Sequence, residues 1–177
     1  MIIVLTGVSG VGKTTLANYL SDKFFFKKSI SYTTRSKRKA ESSNDYNFIS
    51  KEDFEAKINL GFFLEWIYQF DNYYGTGIDA VQKLIDAKEN IVMCLEKNGY
   101  LKAKNYWPDL FGIYLMPPDE KTLIQRISLR NDGQLQTRLE NIYEQVEKDS
   151  VFFENKIKSV NLNESFKALE KLIFDKL

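Results

Sequence analysis

Residues 7–14 read Gly7-Val8-Ser9-Gly10-Val11-Gly12-Lys13-Thr14, directly after the apolar run Ile2-Ile3-Val4-Leu5. The spacing is G-x-x-x-x-G-K-[ST], and its placement matters as much as its pattern. A short buried strand ends, glycines turn the chain, and a helix begins near Lys13. Backbone N–H groups of such a turn converge at a helix N-terminus, where the helix dipole favours anions. Glycines at 7, 10 and 12 let the backbone come close to a cluster of oxygens. Lys13 is placed to reach outer phosphates, and the Thr14 hydroxyl is a ligand for Mg²⁺. Gly7, Val8, Ser9, Gly10, Val11, Gly12, Lys13, Thr14 and Thr15 are therefore the expected contacts of a nucleoside triphosphate.

The chain has 177 residues, enough to bury one sizeable core. A net charge of +1 gives no global field for nucleic acid or an anionic membrane. Cys94 is the single cysteine, so no intrachain disulfide forms, which suits a reducing, cytoplasmic setting. The absence of histidine excludes histidine general bases, Ser-His-Asp triads and histidine-ligated zinc. No apolar run approaches the roughly 20 residues of a membrane span. The chain opens into strand and phosphate turn, so no signal peptide is expected.

Apolar runs alternate with helical patterns. Strands are expected at 2–5, 91–95, 111–115 and 157–161. Helices are expected at 13–23, 76–88, 99–106, from Asp119 to about 129, from about 134 to 154, and at 164–177. Strand–helix alternation with short connections predicts an α/β fold: a parallel sheet with helices on both faces and ligands at the carboxyl ends of its strands. Residues 31–76 break this rhythm. Short strand-like pieces at 46–49, 62–68 and 73–76 surround a helix at 51–60, and Ser50 with Asp53 has capping-box spacing. This stretch reads as a small α+β insertion. The core is then 1–30 with 77–177, and a lid lies at about 127–140.

Within the insertion four patterns follow in order: Ser31-Tyr32-Thr33-Thr34-Arg35-Ser36-Lys37-Arg38, Asp45-Tyr46-Asn47-Phe48, Phe63-Leu64-Glu65-Trp66 and Asn72-Tyr73-Tyr74-Gly75-Thr76. Taken singly, the basic run reads equally as a solvated loop, Glu65 as an edge-strand carboxylate, and the aromatic residues as cross-strand packing. Taken together with the phosphate turn, the set closely resembles the guanylate kinases, strongly to about residue 99 and more weakly beyond.

The resemblance implies a nucleoside monophosphate kinase fold whose insertion binds GMP. Arg35 and Arg38 would hold the GMP phosphate with Tyr46 and Tyr74, and Ser31, Glu65 and Thr76 would read the guanine. Gly75 and Glu96 join the same group. Guanidinium forks suit phosphate oxygens. A carboxylate at Glu65 accepts from guanine N1–H and N2–H₂ together, a pair that adenine lacks. Lid arginines Arg126, Arg130 and Arg138 would act with Lys13 on the transferring phosphoryl group. Asn161 matches, weakly, a residue near the adenine site. The implied reaction is phosphoryl transfer from ATP to GMP, and to dGMP as a second acceptor. Mg²⁺ is the implied cofactor, and the partners are small molecules for a monomer or homodimer.

The chain also departs from the family. Its usual D-x-D pair is here Cys94-Leu95-Glu96. Only Asn131 to Thr137 separate Arg130 from Arg138, without the usual acidic cluster, and Ser36 and Ala40 replace the customary Pro and Gly. Two other readings remain open at this point. One is a kinase of the same fold with another acceptor. The other is a non-catalytic guanylate-kinase-like binding module, against which the intact Gly12-Lys13-Thr14 argues.

Overall fold

A computed structural model describes residues 1–38, 46–128 and 142–176. Its body is a five-stranded sheet in the order β2-β7-β1-β8-β9, with every neighbouring pair parallel. The strands are β1 (Ile2–Thr6), β2 (Lys27–Lys28), β7 (Ile91–Cys94), β8 (Phe111–Met116) and β9 (Asn155–Lys158). Flanking helices are α1 (Lys13–Phe24), α3 (Ile78–Asp86), α4 (Lys97–Tyr106), α5 (Glu120–Ser128), α6 (Ile142–Ser150) and α7 (Leu162–Phe174). β1 lies in the middle, and Ile3, Val4 and Leu5 are completely buried. A continuous apolar run suits that place, because a central parallel strand is covered on both faces. The short edge strands carry Lys27, Lys28, Lys156 and Lys158, charges that keep an edge from pairing with another chain.

A second sheet, in the order β4-β3-β6-β5, stands beside the carboxyl end of the first. It comprises β3 (Tyr32–Thr33), β4 (Asn47–Phe48), β5 (Phe63–Gln69) and β6 (Asn72–Gly77), with α2 (Lys51–Asn59) packed against it. Its core is aromatic. The fully buried Phe54 of α2 stacks on Phe63 at 4.4 Å and on Tyr73 at 5.0 Å between ring centroids. Ser50 caps α2 by accepting from the Asp53 N–H at 3.0 Å, as its spacing predicts.

The structure moves several expected boundaries. β2 and β3 are each two residues long, too short to show alternation in sequence. The helix expected from 76 begins at Ile78, because Thr76 and Gly77 are held in the ladder with Glu65 and Phe63. The helix expected to reach 154 stops at Ser150. There the chain turns to bury Phe153 against Tyr100 and Tyr114, at 4.2 and 5.3 Å. The last strand runs over Asn155–Lys158 rather than 157–161, since Asn161 leaves the sheet to cap α7. The part of that long expected helix before 142, and most of the expected lid, lie outside the described residues.

Gly112 shows how tightly the body is packed. A Cβ there would sit 2.4 Å from Cε2 of Tyr100, a ring that is itself nearly buried. Gly112→Ala is expected to destabilise the fold by about 1–3 kcal/mol, the usual cost of overpacking. Urea unfolding of the two proteins measures this directly.

Candidate active site

The phosphate turn starts where β1 ends. Gly7 adopts φ +146°, and a Cβ on it would lie 2.6 Å from the Leu115 carbonyl oxygen of β8. Gly12, at φ +106°, caps α1 through backbone alone. Both positions demand glycine, one for space and one for its left-handed backbone. The first-turn N–H groups of α1 have no side-chain cap, which leaves them available to an anion. Gly10 lies beneath α5, 2.8 Å from Ile127 Cγ1 in a hypothetical Cβ contact, so α5 closes down on the turn.

Lys13 does not dangle. Its ammonium donates to the Gly7 carbonyl and pairs with Glu96 Oε1 at 3.2 Å. Glu96 is the N-cap residue of α4, with an extended backbone and a side chain that caps nothing. Beside it, burial pushes the Cys94 thiol up to about 11 against the pull of Lys13 and Lys28. Cys94 is therefore neutral near pH 7. Glu96 alone supplies negative charge at the two positions that an acidic pair would occupy.

The second sheet brings a different set of groups to the same opening. Glu65 of β5 and Thr76 of β6 are cross-strand partners. Thr76 Oγ1 donates to Glu65 Oε1 at 3.1 Å, and Ser31 Oγ lies 3.1 Å from Thr76 Oγ1. Thr76 has one proton and gives it to Glu65, so Ser31 donates to Thr76. Burial raises the Glu65 carboxyl from its ordinary 4.5 to about 7. The Thr76 hydrogen bond opposes this, nearby Glu96 adds to it, and Lys102 of α4 opposes it. Arg35 lies over the rings of Tyr46 and Phe48, at 5.5 and 5.7 Å from their centroids, and donates to the Ser36 carbonyl at 2.7 Å. Tyr46 and Tyr74 meet edge to face at 6.2 Å.

These groups share one cleft of about 530 Å³. Val8 through Thr15 line it on the core side, and Ser31, Arg35, Arg38, Tyr46, Glu65, Tyr74 and Gly75 line it on the side of the small sheet. Cys94, Glu96 and Arg126 lie between. Thr76 stays buried behind Glu65, and Gly7 stays behind Lys13. Arg130 and Arg138 lie outside the described residues. Arg126 of α5 reaches the cleft, but its guanidinium is spent locally. It donates to the Ser159 carbonyl and hydroxyl, both at 3.0 Å, and to the Val160 carbonyl at 2.9 Å. Asn161 uses its side-chain oxygen to cap α7, accepting from the Glu164 N–H at 2.9 Å.

Ser159 is a site residue that the sequence reading missed. Its hydroxyl donates to the Val11 carbonyl at 2.6 Å while accepting from Arg126, and so ties the phosphate turn to α5. A lone serine after a short strand carries no motif, so only the tertiary contact reveals it. Ile142, Gln145 and Leu162, also on the cleft wall, were missed for the same reason.

A phosphate-cradling turn facing a small sheet that bears arginines and a buried carboxylate defines a P-loop α/β nucleotide-binding protein. A family model described as guanylate kinase matches residues 1–176. The guanylate kinase of Lactiplantibacillus plantarum is 41% identical over 130 residues, covering 72% of this chain and 63% of that protein. That of Mycoplasma pneumoniae is 40% identical, covering 84% and 63%, and that of Neisseria meningitidis 33%, covering 85% and 76%. The chain thus spans 63% of the length of the first two relatives. A crystal structure of guanylate kinase from Anaplasma phagocytophilum superposes with a TM-score of 0.73 at 22% identity, covering 99% of this chain and 85% of that one. The chain belongs to the guanylate kinase family.

Ser159→Ala leaves the Val11 carbonyl without its partner and takes one acceptor from Arg126. A loss of about 1–3 kcal/mol of unfolding free energy is expected, the range for orphaning a buried polar group. Ser128→Ala, which removes a bond to the Ile124 carbonyl on an exposed helix face, is the control and should change little.

Proposed function

We propose that this protein transfers the γ-phosphoryl group of ATP to GMP, and to dGMP, giving ADP and GDP or dGDP. The supporting observation is the shared cleft, in which Lys13 on one side faces the Ser31–Thr76–Glu65 chain on the other. In this reading residues 1–30 and 77–177 form the core that binds the donor, residues 31–76 bind the acceptor, and Glu96 reaches the acceptor from the core. The single cysteine suits a reducing, cytoplasmic location; separately, among the described residues no helix is long and apolar enough to cross a membrane.

Each residue has a physical task. First-turn N–H groups of α1 hold the donor phosphates. Lys13 exchanges its contacts with Gly7 and Glu96 for phosphate oxygens, which are charged acceptors themselves and replace what it gives up. Arg35 and Arg38, with the Tyr46 and Tyr74 hydroxyls, fix the acceptor phosphate for in-line attack. Glu65 as carboxylate accepts from guanine N1–H and N2–H₂. An adenine there would leave it buried with only its Thr76 bond, a large penalty. Arg126 must leave the Ser159 and Val160 carbonyls to join Lys13 on the transferring group; Arg130 and Arg138 are assigned the same task. No general base is needed, since the second pKa of a phosphate monoester is about 6 and the acceptor is ionised at neutral pH. Mg²⁺ fits this donor set: the Thr14 hydroxyl would hold it together with phosphate oxygens and water, a usual arrangement for this ion. When bound, it neutralises charge between the β- and γ-phosphates. Among the described residues Glu96 is the carboxylate paired with Lys13, and Cys94 adds no charge, so the ion depends mainly on the nucleotide.

A coupled ADP-release assay with ATP, Mg²⁺ and each of GMP, dGMP, AMP, CMP, UMP and dTMP tests the reading. Release that depends on GMP and dGMP supports it. Equal release with another acceptor, or none with any, overturns it. Lys13→Ala is expected to abolish turnover while GMP binding, followed by calorimetry, stays nearly intact.

The raised Glu65 carboxyl adds a pH signature. The group titrates at about 7 when folded, above its ordinary 4.5, so the folded state holds this proton more tightly. Its contribution to stability is therefore greatest at low pH and declines as pH rises through the window from 4.5 to about 7. GMP needs the ionised form and runs the other way. Below about pH 7 the KM for GMP should climb by about tenfold per unit. Glu65→Gln should remove that bend, leaving only the titration of the GMP phosphate, and should erase most of the preference for GMP over AMP. An unchanged preference in this variant would remove Glu65 from guanine recognition.

A further inference from the structure

The carboxylate of Glu65 is held from the front by Thr76. Its stem rests against the first turn of α4. Gly99 lies there, buried, and an ideal Cβ on it would fall 2.7 Å from Glu65 Cγ and 3.1 Å from Glu65 Cδ. The same Cβ would meet the Leu95 Cβ at 3.3 Å, so it has no room to retreat toward the sheet. Gly99 has no positive φ, so its backbone does not require glycine. Alanine is moreover the better helix former at an interior helical position. What excludes a side chain at 99 is the space that Glu65 occupies.

We infer that Gly99 is a specificity-determining positioning residue: its missing side chain is the slot in which the Glu65 stem lies, and this sets the height of the carboxylate in the cleft. The inference rests on the guanine-reading role proposed for Glu65. The clash falls on Cγ and Cδ, the part of the side chain that cannot move without carrying the carboxylate along. The carboxylate is also fixed at its far end by Thr76, which is bonded in turn to Ser31. A methyl group at 99 therefore pushes Glu65 toward the acceptor space and strains or breaks the Thr76 bond. The effect is one-sided. Glu96, at the N-cap of the same helix, contacts Lys13 through its own side chain, which the clash at 99 does not touch. A change at 99 is thus felt by the acceptor half of the cleft and not by the donor half.

The test compares Gly99→Ala, Glu65→Ala and the double variant with the unaltered protein, measuring KM for GMP, KM for ATP, the GMP-to-AMP preference and thermal stability. Gly99→Ala is expected to raise the KM for GMP by about tenfold or more, the order carried by one lost hydrogen bond to a charged group. The KM for ATP should stay within about twofold, a split that a general loss of structure does not give. Glu65→Ala removes Cγ and Cδ, the two atoms that the new methyl would strike. The double variant should therefore be no worse toward GMP than Glu65→Ala alone, a coupling that a cycle of variants reads directly. An unchanged KM for GMP in Gly99→Ala, parallel rises for both substrates, or effects that simply multiply in the double variant would each overturn the inference. Should Gly99→Ala fail to fold, folding of the double variant supports the inference and its failure to fold refutes it. Glu65→Gln runs alongside. If it leaves the preference for GMP unchanged, the guanine-reading role falls; if it shifts that preference while Gly99→Ala does not, only the role of Gly99 falls.

Discussion

Everything in the cleft hangs from the burial of β1 between β7 and β8. Its three central side chains are wholly out of water, and its register against both neighbours fixes where the chain must emerge at the top of the sheet. Gly7 emerges under the Leu115 carbonyl, where no larger residue fits. β7 ends at the same level, so Cys94 and Glu96 come up beside the phosphate turn, and Glu96 meets Lys13. Placing one buried strand therefore places the anion cradle, its lysine and the lysine's counter-charge. The apolar area removed from water supplies the driving force, and the turn inherits its position from it.

The side of the cleft formed by the small sheet is built differently. Two of the four strands of the small sheet are only two residues long, and the sheet is held by rings stacked around Phe54. A separate sheet of this kind needs a fixed reference to the body if its side chains are to act with Lys13. α4 supplies one: its first turn faces Lys13 through Glu96 and Glu65 through Gly99. The electrostatics of the two halves meet there as well. Glu96 and Lys102, both on this helix, act in opposite directions on the Glu65 carboxyl. The neutral Cys94 keeps a second negative charge away from it.

The parallel sheet was legible in the sequence because buried parallel strands are continuous apolar runs, and 2–5, 91–95 and 111–115 are unmistakable as such. The phosphate turn was legible because its chemistry is local: glycines, a lysine and a hydroxyl within eight positions of one another. β2 and β3 were not, since two residues carry no period. The end of α6 was misjudged because Phe153, which reads as one more helical apolar residue, is drawn out of the helix by a pocket between Tyr100 and Tyr114. Arg126 was legible as a cleft residue, but not its attachment to the Ser159 and Val160 carbonyls, which lie 33 and 34 positions away.

By itself, the sequence determined the architecture and the kinds of groups on offer: an anion-binding turn, a pair of arginines, tyrosines and a carboxylate in an insertion. Those features depend on short-range periodicity and on the identity of neighbours along the chain. Only the tertiary structure decided how the groups are held. Ser159 bridging Val11 and Arg126, Ser31 feeding Thr76 and Thr76 feeding Glu65, and Gly99 making room for the Glu65 stem each join residues far apart in the chain. Such contacts are set by close packing between separately formed elements, and packing leaves no signature in the order of residues along any one of them.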